Sequence, residues 1–387
     1  MYKAFKLSYD SLENDSIREC LLCCALWPED YEINTFDQLI PCWIGCSIIH
    51  EFNVINEAFA KGCSHLESLM AASLLEECIP KGRPLHWYGP CVKMNDVIRD
   101  MALLMVSGLE GNKRKWIVKA GIGLSDLPRQ EEWQEAERAS FMMNKITSLP
   151  EYEANFTSSK LSMLILCQNE GLKIIPSSLF ASIPRLTYLD LNRCRIRELS
   201  MEICSLNELQ YLDLSSNLIT SLPAEFGCLS KLEYLFLKNN KIMTVPYGTI
   251  SNLSMLKWLD ATTEWWWDEL KCFKGRHQLS VRIYIKATTD NIEQLNMLPN
   301  VSVWELHLDG KNISELPNYD LGTPQWGCRV SDNLESLNIR SIRLDRLVLA
   351  TGMDGESSFG CLKKLNFFAL EILEEISLNR VLTLQPS

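Results

Sequence analysis

The chain has 387 residues, of which 47% are apolar, enough for two or three folded domains rather than a disordered polymer. Its net charge of -11 excludes binding to nucleic acid through a general excess of lysine and arginine, and offers no polybasic anchor for an anionic membrane. The longest apolar runs, Cys20 to Trp27 and Leu39 to Ile49, fall short of a bilayer span, and Met1-Tyr2-Lys3-Ala4-Phe5-Lys6 lacks the apolar core of a secretion signal, so an intracellular, cytoplasmic protein is expected.

The first hundred residues carry helical spacing. A helix is expected from Asp15 to Leu26, ended by Trp27-Pro28 because proline disfavours helical geometry in the residue before it. Others are expected over Thr35 to Ile44 and Asn53 to Ala72, the last with Leu66, Leu69 and Met70 on one face. Leu74 to Ile79 and Val92 to Met94 read as strands around a Lys81-Gly82-Arg83-Pro84 turn, and Asp96 to Val106 as a closing helix. Helices followed by two short strands suggest a winged-helix domain over residues 1–110. Gly108 to Gly111 and Lys113-Arg114-Lys115 mark a boundary, residues 111–135 are expected to be a linker, and Glu131 to Arg138 a short helix.

From 136 to 387 the chain repeats itself. Leu161-x-x-Leu164-x-Leu166 recurs from Leu186, Leu209, Leu232 and, shortened, Leu256, at intervals of 25, 23, 23 and 24 residues. That period and pattern define a leucine-rich-repeat solenoid. Asn169, Cys194, Asn217 and Asn240 take the turn position, where a side chain must satisfy backbone groups. Leu172 and Ile175, Ile196 and Leu199, Ile219 and Leu222, and Ile242 and Val245 then close each coil. An earlier tail, Ala139-x-Phe141-x-x-Asn144-x-Ile146-x-x-Leu149-Pro150, extends the array backwards. After about residue 262 the pattern degrades through Trp265-Trp266-Trp267, then returns irregularly at Val303-x-x-Leu306-x-Leu308, Leu334-x-x-Leu337-x-Ile339 and Leu362-x-x-Leu365-x-Phe367. The expected fold class is therefore α/β: a mostly helical winged-helix domain followed by a horseshoe with a parallel sheet.

Residues between the inward leucines form columns across such a sheet. Tyr188, Tyr211, Tyr234 and Trp258 share one; Asp190, Asp213, Phe236 and Asp260 share the next. Aromatics beside carboxylates suit a protein-binding surface, because Tyr and Trp give large contact area at low entropic cost. Metal and catalytic signals are thin. Fifteen cysteines fall largely in apolar segments, Cys20-x-x-Cys23 has no partner pair at zinc spacing, and His50, His65, His86, His277 and His307 are scattered.

Three motifs together resemble the plant intracellular immune receptors with a nucleotide-binding domain and leucine-rich repeats, of the coiled-coil class. Cys20-Leu21-Leu22-Cys23-Cys24-Ala25-Leu26-Trp27-Pro28-Glu29-Asp30-Tyr31 resembles their C-x-x-Y-C-A-x-F-P-E-D motif, and Leu39-Ile40-Pro41-Cys42-Trp43-Ile44-Gly45 the L-I-x-x-W-x-x-E/G stretch. Val92-Lys93-Met94-Asn95-Asp96-Val97-Ile98-Arg99-Asp100-Met101-Ala102 resembles V-K-M-H-D-V-x-R-D-M-A. The resemblance implies a winged helix that closes over ADP, with Met94, Asn95 and Asp96 at the phosphate contact when a nucleotide-binding domain is present. Asn95 stands where the family has His; both can donate to phosphate, but Asn is shorter and cannot become cationic. A competing reading has Met94 in the core and Asn95 and Asp96 capping the next helix.

The sequence contains no Gly-x-x-x-x-Gly-Lys-Ser/Thr loop and no apolar run ending in paired aspartates, so it is not expected to be an enzyme or to hold a cofactor of its own; ADP or ATP is implied for a longer parent. The chain reads as a truncated form comprising winged helix and repeats. The implied partners are a pathogen effector or a guarded host protein, and a nucleotide-binding domain in the same chain or in trans, in a plant defence response. The alternative is a repeat adaptor or decoy without nucleotide switching.

Overall fold

The computed structural model describes residues 2–52, 55–78, 90–107, 115–152, 157–262, 267–273, 275, 279–286, 301–309, 336–340, 346–349, 364–368, 375–378 and 384–385. The chain forms two compact units, Met1–Leu218 and Ile219–Ser387. The helical region and the first repeats thus share one unit, and the division falls inside the repeat array.

The first unit begins with α1 (Tyr2–Asp10) and α2 (Asp15–Cys24), the latter capped by Asn14, whose side chain accepts from the Ile17 N–H. β1 (Ile33–Asn34) leads through a π-helical turn, Thr35–Leu39, into α3 (Ile40–Gly45). That turn exists because Asn34 accepts from both Phe36 and Asp37 N–H groups, at 3.0 and 2.7 Å. α4 (Ile55–Ala71), β2 (Glu76–Cys78), β3 (Cys91–Lys93) and α5 (Asp96–Val106) complete the helical region. The three strands form an antiparallel sheet in the order β1-β3-β2. β1 has no signal in the sequence, because two residues cannot display an alternation. The core gathers around Trp43, fully buried, whose indole N–H donates to the Cys20 carbonyl at 3.1 Å. The Lys81 to Pro84 turn and the Gly108 to Arg114 boundary lie outside the described residues.

β4 (Trp116–Val118) lies within 111–135 and pairs in parallel with β5 (Arg138–Ser140), so this segment carries a strand of the repeat sheet; α6 (Gln130–Trp133) follows β4. β6 (Met163–Ile165), β7 (Tyr188–Asp190) and β8 (Tyr211–Asp213) continue the sheet in parallel, with Leu164, Leu189 and Leu212 in register. The return path carries α7 (Ser177–Ser182) and a 3-10 turn, Met201–Ser205. The turn residues do what their position requires. Asn144, Asn169 and Asn217 each accept from a backbone N–H of a neighbouring coil and donate to carbonyls of their own turn. Cys194 directs its Sγ to the Leu166 carbonyl at 3.2 Å. At these turns and at that of Asn240, the residue just before the turn residue adopts a left-handed backbone, with φ of 54° at Met143, 60° at Gln168, 55° at Arg193, 56° at Ser216 and 57° at Asn239.

In the second unit, β9 (Tyr234–Phe236), β10 (Trp258–Thr262), β11 (Leu279–Lys286), β12 (Val301–Asp309) and β13 (Ser336–Arg340) are parallel neighbours. β14 (Arg346–Leu349) and β16 (Glu375–Leu378) form a separate pair, while β15 (Lys364–Phe368) and β17 (Leu384–Gln385) extend the main sheet. The irregular copies at Val303, Leu337 and Leu365 are therefore strands. β11 is an additional one: its apolar Leu279, Val281, Ile283 and Ile285 alternate without the leucine-repeat spacing. α8 (Trp267–Lys271) supplies Glu269, a buried carboxylate that accepts from the N–H groups of Gly248, Ile250 and Ser251 and from the Ser251 hydroxyl. Trp265 and Trp266, and the repeat positions Ile313, Leu316, Leu334 and Leu362, lie outside the described residues.

Candidate functional site

Two groups of residues stand out from the sequence: the Met94-Asn95-Asp96 segment and the two columns of the repeat sheet. β3 ends at Lys93, Met94 is 5% exposed in the core, and Asn95 is exposed at the start of α5. Asn95 has φ -63° and ψ 140°, and its Oδ1 accepts from the Val97 N–H at 3.0 Å. It is thus an N-cap, with only its amide NH2 left over. One carboxylate oxygen of Asp96 is buried with no hydrogen-bond partner among the described residues. The nearby cations are engaged: Arg99 donates to the Trp27 carbonyl at 2.7 Å and lies 3.8 Å from Glu29, and Lys93 lies 3.7 Å from Glu76. One neutral donor beside a carboxylate does not by itself fit a diphosphate, which needs several N–H groups or a cation. The described residues of this segment form at most one edge of a nucleotide site.

The columns are closed rather than open. Tyr188 and Tyr211 are each 3% exposed and stack face to face, with ring centroids 4.1 Å apart and planes 7° from parallel. What covers them is the end of α3. A Cβ placed on Gly45 would sit 2.4 Å from Tyr211 Cδ2 and 2.9 Å from Tyr188 Cε2, so the rings lie against bare backbone that only glycine leaves free. Around this contact, Ser140 Oγ donates to the Leu26 carbonyl at 2.9 Å and Gln168 Nε2 donates to Tyr31 Oη at 2.6 Å. Arg138 stacks over Trp116 at 4.5 Å and donates to Cys23 Sγ at 3.1 Å. Burial holds the phenols of Tyr31, Tyr188 and Tyr211 above their ordinary range, so these rings are neutral.

In the second column Asp190 and Asp213 spend an oxygen on their own turns, accepting from Asn192 and Ser215 N–H at 2.9 and 2.7 Å. Within the second unit, Tyr234, Phe236, Trp258 and Asp260 are all buried. Phe236 meets Trp258 edge-on at 4.8 Å, and Asp260 pairs with Arg282 at 3.2 Å, with the guanidinium 5.7 Å over the Trp258 ring. Of the eight column residues only Asp190 is part-exposed. Within the first unit Tyr188 stands beside Tyr211 and Asp190 beside Asp213, and within the second Tyr234 stands beside Trp258 and Phe236 beside Asp260, but the spacing says nothing of what lies against them. Gly45, Tyr31 and Gln168, which make much of the contact, carry no functional signal in the repeat pattern; the glycine at the end of an apolar helix is the one hint available.

A parallel sheet of short strands, joined through asparagine-bonded turns, defines a leucine-rich-repeat protein, and the Leucine rich repeat family model matches residues 159–219, 184–242 and 207–263. Proteins with such repeats mediate protein binding. The chain is, more particularly, a relative of the plant disease resistance proteins. It is 37% identical over 203 residues to Disease resistance protein SUMM2 of Arabidopsis thaliana, covering 52% of this chain and 21% of that protein. It is 38% identical over 205 residues to Disease resistance protein RFL1, and 34% over 203 residues to Disease resistance protein RPS5, both of Arabidopsis thaliana, covering 52% of this chain each time and 22% and 21% of those proteins. The chain thus spans about a fifth of the length of these relatives. Among solved structures, an internalin (inlF) of Listeria monocytogenes matches with a TM-score of 0.43 and 19% identity, over 66% of this chain and 67% of that one. The ectodomain of the plant membrane receptor kinase GASSHO1/SCHENGEN3 of Arabidopsis thaliana matches with a TM-score of 0.42 and 23% identity, over 65% and 29%. These likenesses are loose, and the repeat fold rests on the strands themselves. No helix among the described residues is long and apolar enough to cross a membrane.

Proposed function

We propose that this chain is the regulatory and recognition part of a cytoplasmic plant disease resistance protein. In this reading the winged-helix domain is held on the first repeats at Gly45, and a pathogen effector or an altered host protein that binds the repeats shifts the balance between held and released states. The observation that carries it is the seating of Tyr188 and Tyr211 against the Gly45 backbone. The columns then serve first as an internal contact, and partner binding to Tyr188, Asp190, Tyr211 and Asp213 competes with it. Tyr234, Phe236, Trp258 and Asp260 are packed inside the second unit and are not assigned to that contact. The role is binding rather than catalysis. Met94, Asn95 and Asp96 would meet ADP only beside a nucleotide-binding domain, and because the Asn95 oxygen is committed to the Val97 N–H, a single amide donor is the most that residue brings.

Gly45→Val tests the reading. Its branched side chain cannot fit where a Cβ already stands 2.4 Å from Tyr211. The expected result is faster hydrogen exchange over residues 40–45 and 188–213, with the repeat core unaltered, and a constitutive defence response when the variant is placed in a full-length parent. Exchange and response both at the wild-type level would end the proposal.

A further inference from the structure

β2 and β3 bring two thiols together. In their antiparallel register Cys78 stands directly opposite Cys91, and the sulfurs are 2.8 Å apart. Both cysteines are free; Cys78 is part-exposed and Cys91 is buried. Directly opposed residues of an antiparallel pair hold their Cα atoms about 4.5–5.5 Å apart. That lies inside the range of about 4.4–6.8 Å that a disulfide spans, so no strand has to move for the bond to form. Another close pair, Cys42 and Cys46, shows the contrast. Their sulfurs are 3.9 Å apart, but they lie four residues apart along one helix. Side chains so spaced have Cβ atoms about 5–6 Å apart, whereas a disulfide needs about 3.5–4.5 Å. Proximity alone does not make a bondable pair, and the β-ladder does.

We propose that Cys78 and Cys91 are an oxidation site, at which a peroxide or a small disulfide-forming oxidant converts the two thiols to an intramolecular disulfide. With hydrogen peroxide, the more accessible Cys78 sulfur attacks a peroxide oxygen, the O–O bond breaks, one water leaves and Cys78 becomes a sulfenic acid. The Cys91 sulfur then attacks Cys78 Sγ; the S–S bond forms, the S–O bond breaks, and the hydroxyl leaves with the Cys91 proton as a second water. Two thiols are oxidised by two electrons and one peroxide is reduced to two waters. Burial and the neighbouring Cys91 thiol push the Cys78 thiol up to about 12, so the pair rests in the reduced thiol form and reacts slowly.

The position of the bond gives it a consequence. β3 is the central strand of its sheet, with Cys91 opposite Asn34 on one side and Cys78 on the other. The same strand runs directly into Met94, Asn95 and Asp96, so a covalent tie at Cys91 restrains the backbone that presents them. The disulfide is a clamp on the start of α5.

The test uses the whole purified chain, freed of reductant, exposed to diamide or hydrogen peroxide, capped with N-ethylmaleimide and mapped by mass spectrometry after digestion. The expected product is a peptide pair joined through Cys78 and Cys91, about 2 Da lighter than its two thiol parts and separated by dithiothreitol. Amide exchange over residues 92–97 should slow by roughly tenfold in the oxidised chain. C91S should abolish the linked pair and leave Cys78 as a sulfenic acid or a mixed adduct. Recovery of Cys78 and Cys91 capped, or bonded to other cysteines, in the wild-type chain would overturn the proposal without recourse to any variant. A linked pair with unchanged exchange at 92–97 would overturn the clamp.

Discussion

Equivalent repeat positions are filled by different chemistry in the two units. In the first, Tyr188 and Tyr211 stack in parallel and bury themselves against glycine backbone. In the second, Trp258 lies edge-on to Phe236, and the next column carries a buried ion pair, Asp260 with Arg282. The lesson is that a leucine repeat dictates where column residues sit, not how they are satisfied. Flat neutral rings gain mainly from burial and stacking, whereas a buried pair of charges is sustained only while both members are present.

The sharpest way to break this contrast is Asp260→Ala. It leaves Arg282, 4% exposed, without its carboxylate, and should cost about 3–5 kcal/mol in urea unfolding. Replacing both partners, Asp260→Leu with Arg282→Met, should recover most of that loss; if the double variant is as weak as the single, the pair is held by more than mutual charge. Next in size is the turn ladder. Asn217→Ala removes an acceptor for the Cys194 and Ile196 N–H groups and donors to three carbonyls, all buried, and should cost about 2–4 kcal/mol. Cys194→Ala loses Sγ contacts to two carbonyls and should cost only about 1 kcal/mol, so equal losses would deny the asparagines their special role.

The smallest effect concerns Asp190, a carboxylate in the first unit. Burial pushes the Asp190 carboxyl from 3.8 up to about 6. Its proton is bound more tightly in the folded chain than in the unfolded one. The contribution of Asp190 to stability is therefore greatest below about pH 4, falls as pH rises towards 6, and stays at the lower level above it. Asp190→Asn keeps an oxygen for the Asn192 N–H and removes the charge of this part-exposed side chain. It should flatten that slope and stabilise the chain at pH 7.5 by about 1 kcal/mol. A variant that retains the wild-type pH profile would assign the slope to another group.

The helical region was largely legible. Asp15 to Leu26 and Asp96 to Val106 announce themselves by apolar spacing, by proline and by a capping asparagine, and the structure holds Asp15–Cys24 and Asp96–Val106. Thr35 to Ile44 is helical too, but begins as a π-turn, because Asn34 ties down two successive N–H groups in a way spacing alone does not encode. Strand β11 went unread because it alternates by two instead of following the leucine spacing, and β4 because three residues before the first repeat carry no pattern.

Local physics accounts for what could be read. The spacing of leucines and the placement of Asn144, Asn169, Asn217 and Asn240 determine the coil, since a short strand and an amide-bonded turn involve only residues within one or two repeats. The left-handed residue before each turn was decided by the tertiary structure: Met143, Gln168 and Arg193 have no preference for positive φ, which is imposed by the ladder bonds that follow. So was the fate of the columns. That Tyr188 and Tyr211 meet Gly45, and that Cys78 meets Cys91, depends on elements far apart in sequence or on strand register. Burial and pairing are relations between segments, and one segment's composition cannot state them.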